Sequence, residues 1–157
     1  MGLSRLDNFL KSARGTILYV NPNDLDATDS IENQGNSLTR PFKTIQRALV
    51  ESARFSYQKG LENDRFAKTT ILIYPGDHLI DNRPGYIPIA ANQYRLRNGS
   101  TTNNLPPFDL TSNFDLSTSD NELYKLNSVH GGVIVPRGTS IVGLDLRKTK
   151  IRPRYVP

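Results

Sequence analysis

The chain has 157 residues, of which 36% are hydrophobic and 22% charged, and it contains no cysteine. This length supports one compact domain, because such a chain buries roughly 70% of the surface that its unfolded form exposes, and the lack of cysteine excludes disulfides, thiolate metal sites and cysteine nucleophiles. Lys and Arg outnumber Asp and Glu by 20 to 15, but five basic residues lie between 147 and 154. The rest of the chain balances at 15 to 15, which argues against a surface built throughout for nucleic acid.

The first predicted element is a short helix over residues 3–14, within an N-terminal segment of residues 1–15. Apolar side chains recur at helical spacing and form one stripe: Leu3, Leu6, Phe9 and Leu10. A helix of this length is marginal alone, so the stripe must pack on the chain's own core or on another protein, and we take it as the candidate anchoring element. The segment lacks the apolar run of a secretory signal or a membrane span, so no membrane insertion is expected.

The next predicted elements are a strand at residues 16–21 and a helix at residues 41–59, joined by an acidic loop. The strand sequence TILYVN is rich in β-branched and aromatic residues and ends in an Asn-Pro-Asn turn. Pro41 suits the first turn of the helix. The apolar positions of this helix recur on one face: Phe42, Ile45, Ala48, Leu49 and Ala53.

A second strand, a tight corner and a third strand are predicted between residues 69 and 80. The run TTILIY stops at Pro75 and Gly76, and glycine permits backbone angles that a side chain would forbid. The sequence HLI then resumes the β pattern.

The chain from residue 92 onward divides into a polar segment and a run of short strands. Residues 92–130 are typical of an insertion or arm, because residues 92–128 contain seven Asn and only scattered apolar positions. Over residues 131–157, short strands are predicted in the sequences VIVP, SIVG, LDL and KIR. Such brief strands are hard to stabilise as hairpins, whereas stacked parallel strands are the unit of a β-helix. Since an uncovered solenoid end exposes backbone and core, we expect these coils to continue in a longer polypeptide.

The order of these elements resembles the N-terminal beginning of pectate-lyase-like right-handed parallel β-helix proteins. The resemblance depends on YVN at residues 19–21, an Asp-rich loop, PFKTIQRAL at residues 41–49 and ILIYPGDH at residues 71–78. It implies a mainly β fold that starts a right-handed parallel β-helix over residues 16–91, with helix 41–59 capping the open end of the first coil. This fold serves lyases, hydrolases and inert fibres alike, so it does not specify a chemistry.

Phage tailspikes and tail fibres often use this beginning, and the Asn-rich style is most similar to virion structural proteins of T4-like marine cyanophages. The resemblance implies a virion structural protein that is the N-terminal part of a tail fibre or spike and attaches to other tail or baseplate proteins. It also implies assembly in the host cytoplasm, a homotrimer, and contact with host-surface polysaccharide through a downstream region. One alternative is the N-terminal part of a tailspike polysaccharide depolymerase whose catalytic coils lie downstream, and another is a free carbohydrate-binding module.

No catalytic centre, metal site or cofactor is predicted. Glycosidase chemistry needs two carboxylates that face each other across a sugar, and neither Asp77 beside His78 nor Asp145 forms such a pair. No nucleophile motif adjoins the two histidines, His78 and His130. Calcium binding and a solvated loop are alternative interpretations of the acidic loop, whose spacing differs from an EF-hand at Asp24, Asp26, Asp29 and Glu32.

A second candidate partner-binding set is basic and lies near the C-terminal end: Arg147, Lys148, Lys150, Arg152 and Arg154. Alternation with Ile151 and Pro153 predicts several cations on one side of a strand. The cluster has three interpretations: a nucleic-acid contact, a contact with an acidic neighbouring subunit, or a solvated face. Because no aromatic residues are interleaved for base stacking, no nucleic-acid partner is expected.

Overall fold

The computed structural model describes residues 15–30, 32–56, 68–84, 86–96, 101–103, 126–128, 130–154 and 156. In chain order the elements are β1 Thr16–Val20, α1 Ile45–Ser56, β2 Thr69–Ile73, β3 Gly76–Ile80, β4 Tyr86–Ala90, β5 Gln93–Leu96, β6 Thr101–Thr102, β7 Thr139–Gly143 and β8 Thr149–Pro153. The fold is mainly strands with one helix in these ranges, and it contains small parallel sheets, as the predicted class requires. The helix is too short to cross a bilayer, and no other candidate membrane span occurs in the described part of the chain.

Two parallel sheets and one antiparallel sheet make up the β structure. The first sheet has the order β1-β2-β7, the second pairs β3 with β8, and both are parallel throughout. The third sheet, β4-β5-β6, is antiparallel. A corner connects β2 to β3, and a turn connects β7 to β8. The unit β7-β8 therefore stacks on the unit β2-β3, strand on strand.

The core lies between helix α1 and the first sheet. Helix α1 packs against β1, β2 and β3, because its apolar face faces the inward side chains of the strands. The buried apolar residues are Leu18, Val20, Phe42, Ile45, Ala48, Leu49, Val50, Ala53, Ile71, Ile73 and Leu126. Burial of a large aliphatic side chain contributes roughly 1.5–3 kcal/mol, so this cluster is the main source of stability among the described residues.

Helix α1 begins at Ile45, four residues after Pro41, which was expected in its first turn. Phe42 instead forms a parallel bridge with Val20, and Thr44 caps the helix by accepting a bond from the Arg47 N–H at 3.2 Å. The Asp29 carboxylate accepts from the N–H groups of Lys43 and Thr44 at 2.8 and 3.1 Å and from the Thr44 hydroxyl at 2.7 Å. A residue fifteen positions upstream of Thr44 thus completes the helix start.

Replacement of Asp29 by alanine should lower the free energy of unfolding by about 1–2 kcal/mol, because the helix start loses three accepted hydrogen bonds. Asp29→Asn is the matched control, since its amide oxygen can still accept, and it should lose less. Urea denaturation followed by circular dichroism measures both. Equal stability of the alanine variant and the unchanged chain would contradict this assignment.

Two predicted strands near the end are not formed. Residues 133–136 make only an isolated bridge, between Val133 and Asn127. Residues 144–146 belong to a turn, because Asp145 Oδ1 accepts from the N–H groups of Arg147 and Lys148 at 2.8 and 3.2 Å and so bends the chain locally.

The polar segment 92–130 contains more order than its composition suggested. Strands β5 and β6 lie in it and pair with each other, and β5 also pairs with β4, which precedes the segment. Asn92 adopts a φ of 59° in the two-residue turn between β4 and β5, a conformation that Asn tolerates. Leu126 and Asn127 are buried. The segment therefore contributes both a small sheet and part of the core.

Candidate functional site

The five basic residues predicted as partner-binding lie at one end of the parallel sheets, and all are exposed. Lys150 and Arg152 lie on β8, and Arg154 follows it. Arg147 and Lys148 lie in the turn before β8. The structure still brings all five to the same end of the fold.

The turn before β8 stacks directly on the corner between β2 and β3. The Gly76 N–H donates to the Lys148 carbonyl at 2.9 Å. Gly76 has a φ of 149°, and an added Cβ would approach Pro22 and Asn23 to within 3.3 Å. Asn23 in turn donates to the Pro75 carbonyl at 3.3 Å. The three corners therefore lie one above another, and glycine is required at the middle one.

One of the basic residues has an acidic partner. Arg152 Nη2 donates to Asp77 Oδ2 at 2.9 Å, between side chains that are both more than half exposed. Water screens such a pair, and its contribution to stability is about 0–1 kcal/mol. Among the described residues no carboxylate forms a salt bridge with Lys150, Arg154, Arg147 or Lys148.

Aliphatic side chains are exposed at the same end of the fold. The aligned residues Leu18 and Ile71 are 0% exposed, but Ile141, which follows them in register on β7, is 36% exposed. On the second sheet His78 is 4% exposed, whereas its partner Ile151 on β8 is 48% exposed. The inward side chains are thus buried on the earlier strands and exposed on the last strand of each sheet. Other exposed aliphatic residues nearby in sequence are Val135, Leu144, Leu146 and Val156.

We call the outer edges of β7 Thr139–Gly143 and β8 Thr149–Pro153 the open edge, because no other described strand pairs with them. The opposite edge, on β1, is occupied. The Tyr19 N–H donates to the Gly35 carbonyl at 2.8 Å, and the Tyr19 carbonyl accepts from Phe42 N–H at 2.8 Å. The stack of parallel strands is therefore closed at β1 and open at β7 and β8.

Three of the four residues considered for catalysis have structural partners. His78 is buried and its Nε2 donates to the Tyr74 carbonyl at 2.8 Å; a carbonyl only accepts, so Nε2 carries the proton. Asp77 pairs with Arg152, and Asp145 shapes the turn before β8. His130 lies in an exposed turn before Gly131.

The acidic residues considered for calcium are not gathered into one site. Asp29 caps helix α1, and the Asp24 carboxylate accepts from Asp26 N–H at 2.8 Å within its own turn. Within the described ranges, no group of three or more acidic, His or Cys residues is arranged to hold a metal ion. Such arrangements need several converging oxygen ligands.

Among the residues that the structure describes, two side chains have perturbed acidity. Burial, and secondarily the nearby Tyr19 phenol, raise the pKa of Tyr74 above its ordinary value. The hydrogen bond to Asp81, and then its charge, raise the pKa of the Arg83 guanidinium. Neither shift creates an acid or base that ionises near neutral pH, so neither indicates a proton-transfer site.

The other predicted partner-binding residues, Leu3, Leu6, Phe9 and Leu10, lie outside the described residues. The exposure of the inward residues Ile141 and Ile151 and the ion pair of Asp77 were not predicted from the sequence. The alternation of Lys, Ile and Arg in β8 indicated that the Ile151 side chain lies on the opposite face from the two cations. Its exposure could not be predicted, because it depends on whether another strand covers β8.

No protein family, curated protein or solved structure matches the chain.

Proposed function

We propose that this chain is a structural component of a phage virion, the N-terminal attachment part of a tail fibre or spike. In this proposal the parallel sheets are the first layers of a right-handed β-helix, and further layers cover the open edge. Helix α1 lies on the connection between the parallel strands β1 and β2, and the strong rule in proteins is that connections between parallel strands are right-handed.

The observation that carries the proposal is the change in exposure along aligned inward positions. The line Leu18, Ile71 and Ile141 is buried on its first two strands and exposed on its third. Exposed aliphatic side chains beside unpaired strand edges promote association. A stack that is closed at β1 and open at β7 and β8 therefore suits a protein that starts a longer assembly.

The proposal gives the described residues a structural role without catalysis. Asp77, His78 and Asp145 each contribute an ion pair, a backbone hydrogen bond or a turn. Two carboxylates that face each other across a sugar would be needed for glycoside hydrolysis. Contact with other tail or baseplate proteins, through the stripe Leu3, Leu6, Phe9 and Leu10, is the attachment that we propose, and a homotrimer is the proposed assembly.

Replacing Leu6 and Phe9 together with alanine should abolish incorporation of the chain into tails and leave the melting temperature of the isolated chain unchanged. The reason is that an anchoring stripe is buried only against its partner. Incorporation is measured by immunogold labelling and mass spectrometry of purified virions. The matched control is Leu25→Ala, because Leu25 is fully exposed, and this variant should be incorporated normally.

The possible results separate the anchor from the function. Absence of the unchanged chain from virions would refute the proposed function. Presence of the unchanged chain and of the double variant in equal amounts would refute only the anchor. A double variant that melts at a much lower temperature would assign the stripe to the chain's own core.

A further inference from the structure

The backbone of the open edge has free hydrogen-bonding groups in a defined pattern. In β8, the Lys148 carbonyl accepts from Gly76 and the Arg154 N–H donates to Ile80 at 2.8 Å, so the even-numbered residues face β3. Parallel ladders alternate, and the N–H and carbonyl of Ile151 therefore face outward. On β7 the backbone groups of Gly138 and Leu144 bond to β2. The even-numbered residues of β7 therefore face β2, and the backbone N–H and carbonyl of Ile141 face the open edge.

Charge alternates from strand to strand on the second sheet. Asp77 on β3 is in register with Lys150 on β8, and its carboxylate accepts from Arg152 at 2.9 Å. Opposite charges on neighbouring strands stabilise pairing, and like charges destabilise it. An acidic strand is thus followed by a basic one, and the basic strand is the last of the sheet.

The end that carries the open edge is strongly basic. Residues 130–154 contain six basic residues, Arg137 included, and one acidic residue, Asp145. Basic side chains at a strand edge oppose pairing with a basic strand. Pro153 has no N–H, so a ladder built on β8 ends there. These features select both the charge and the length of a strand that could pair with β8.

A second copy of the chain does not fit this edge through its strand β1. The outer edge of β1 is already bonded to Gly35 and Phe42, so another molecule cannot offer β1 to β8. The charge and register of β8 favour an extended segment with carboxylates near Lys150 and Arg152 and an aliphatic side chain beside Ile151.

We propose that the β8 edge binds an extended polypeptide segment in which acidic and aliphatic residues alternate, and that this segment adds to the sheet as a parallel strand. The inference rests on the proposed function, in which a further layer covers the open edge, and it names the chemistry of that layer. Acidic residues next to Lys150 and Arg152 continue the alternation that Asp77 begins. Backbone bonds to Ile151 fix the register, as in other cases of strand addition to a sheet edge.

The test uses the complete chain and three synthetic peptides: one that alternates Glu with Val, one of the same composition in scrambled order, and one that alternates Lys with Val. Fluorescence anisotropy measures binding, and hydrogen exchange measures protection of the β7 and β8 amides. The alternating acidic peptide should bind and protect Ile151, and binding should weaken as ionic strength rises, because exposed charge pairs are screened. The scrambled and basic peptides should bind much more weakly.

A charge reversal tests the predicted contact directly. Lys150→Glu should weaken binding of the acidic peptide by about tenfold and should improve binding of the basic peptide. Arg40→Glu is the matched control, because Arg40 is an exposed basic residue in the loop that covers β1, and it should change neither affinity. The exchange measurement on the unchanged chain needs no variant and remains valid if a variant fails to fold.

Three outcomes would overturn the inference. Equal affinity for the acidic and scrambled peptides would remove the requirement for alternation. Protection of Ile151 that rises with protein concentration in the absence of peptide would identify a second copy as the occupant. Binding of a single-stranded oligonucleotide that protects the same amides better than the peptide would identify nucleic acid. A chain that is present in tails but fails this test refutes only the inference, whereas absence from virions refutes the proposed function.

Discussion

Replacement of Arg47 by alanine should lower the free energy of unfolding by about 3–5 kcal/mol, the usual cost of removing one partner from a buried ion pair. Arg47 is fully buried, and its guanidinium joins helix α1 to the loop that precedes it. It donates to the Asn33 carbonyl at 3.0 Å, to the Asp29 carbonyl at 3.3 Å and to Glu51 Oε2 at 2.9 Å. It also lies 4.5 Å from the centroid of the Phe42 ring. The variant would leave buried acceptors without a donor.

The control for this prediction is Arg54→Ala, since Arg54 contacts the same Glu51 carboxylate at 3.3 Å but is 42% exposed at its side chain. Solvent screens that pair, so its loss should cost about 0–1 kcal/mol. Chemical denaturation of the two variants and the unchanged chain gives the comparison. If Arg47→Met, which keeps much of the volume, is as stable as the unchanged chain, the guanidinium contributes no net stability and the prediction fails.

The same residue marks a limit of sequence reasoning. Arg47 lies in the middle of a predicted amphipathic helix, and a charged residue there is normally assigned to the solvent side because Arg is almost never fully buried. Its burial depends on the Asn33 and Asp29 carbonyls, which come from a loop that the sequence describes only as polar and acidic. Long-range partners of this kind cannot be read from periodicity.

Local patterns predicted the strands and corner of the first sheet well. The runs TILYV and TTILI are compact and β-rich, and the structure forms β1 and β2 there. Pro75 and Gly76 marked the corner before β3, where Gly76 adopts a positive φ. These features depend on backbone preferences of a few neighbouring residues, which a sequence carries directly.

Features that depend on competition between segments were predicted less well. The sequence LDL has strand-like alternation, but the Asp145 carboxylate bonds two N–H groups of its own turn. Pro41 suited a helix start, yet Phe42 joins the ladder of β1 instead. In the candidate site, the basic character and exposure of Lys150, Arg152 and Arg154 followed from sequence, whereas the open edge beside them depends on topology.

Replacement of Ile71 by alanine should lower the free energy of unfolding by about 2–5 kcal/mol, because it removes a fully buried side chain and leaves a cavity between β1, β7 and helix α1. The aligned variant Ile141→Ala makes the same chemical change one strand further along. In the isolated chain it should cost about 1 kcal/mol or less, since Ile141 is partly exposed and few neighbours lose contacts.

In the assembled protein the difference between the two variants should become smaller. If further layers cover the open edge, Ile141 becomes as buried as Ile71, and its truncation should then weaken assembly as well as the isolated fold. Thermal unfolding of the isolated chain, followed by the amount of each variant in purified tails, measures both effects. Losses of similar size in the isolated chain would mean that β7 is already covered there, and the open edge would not be the growing end of a stack.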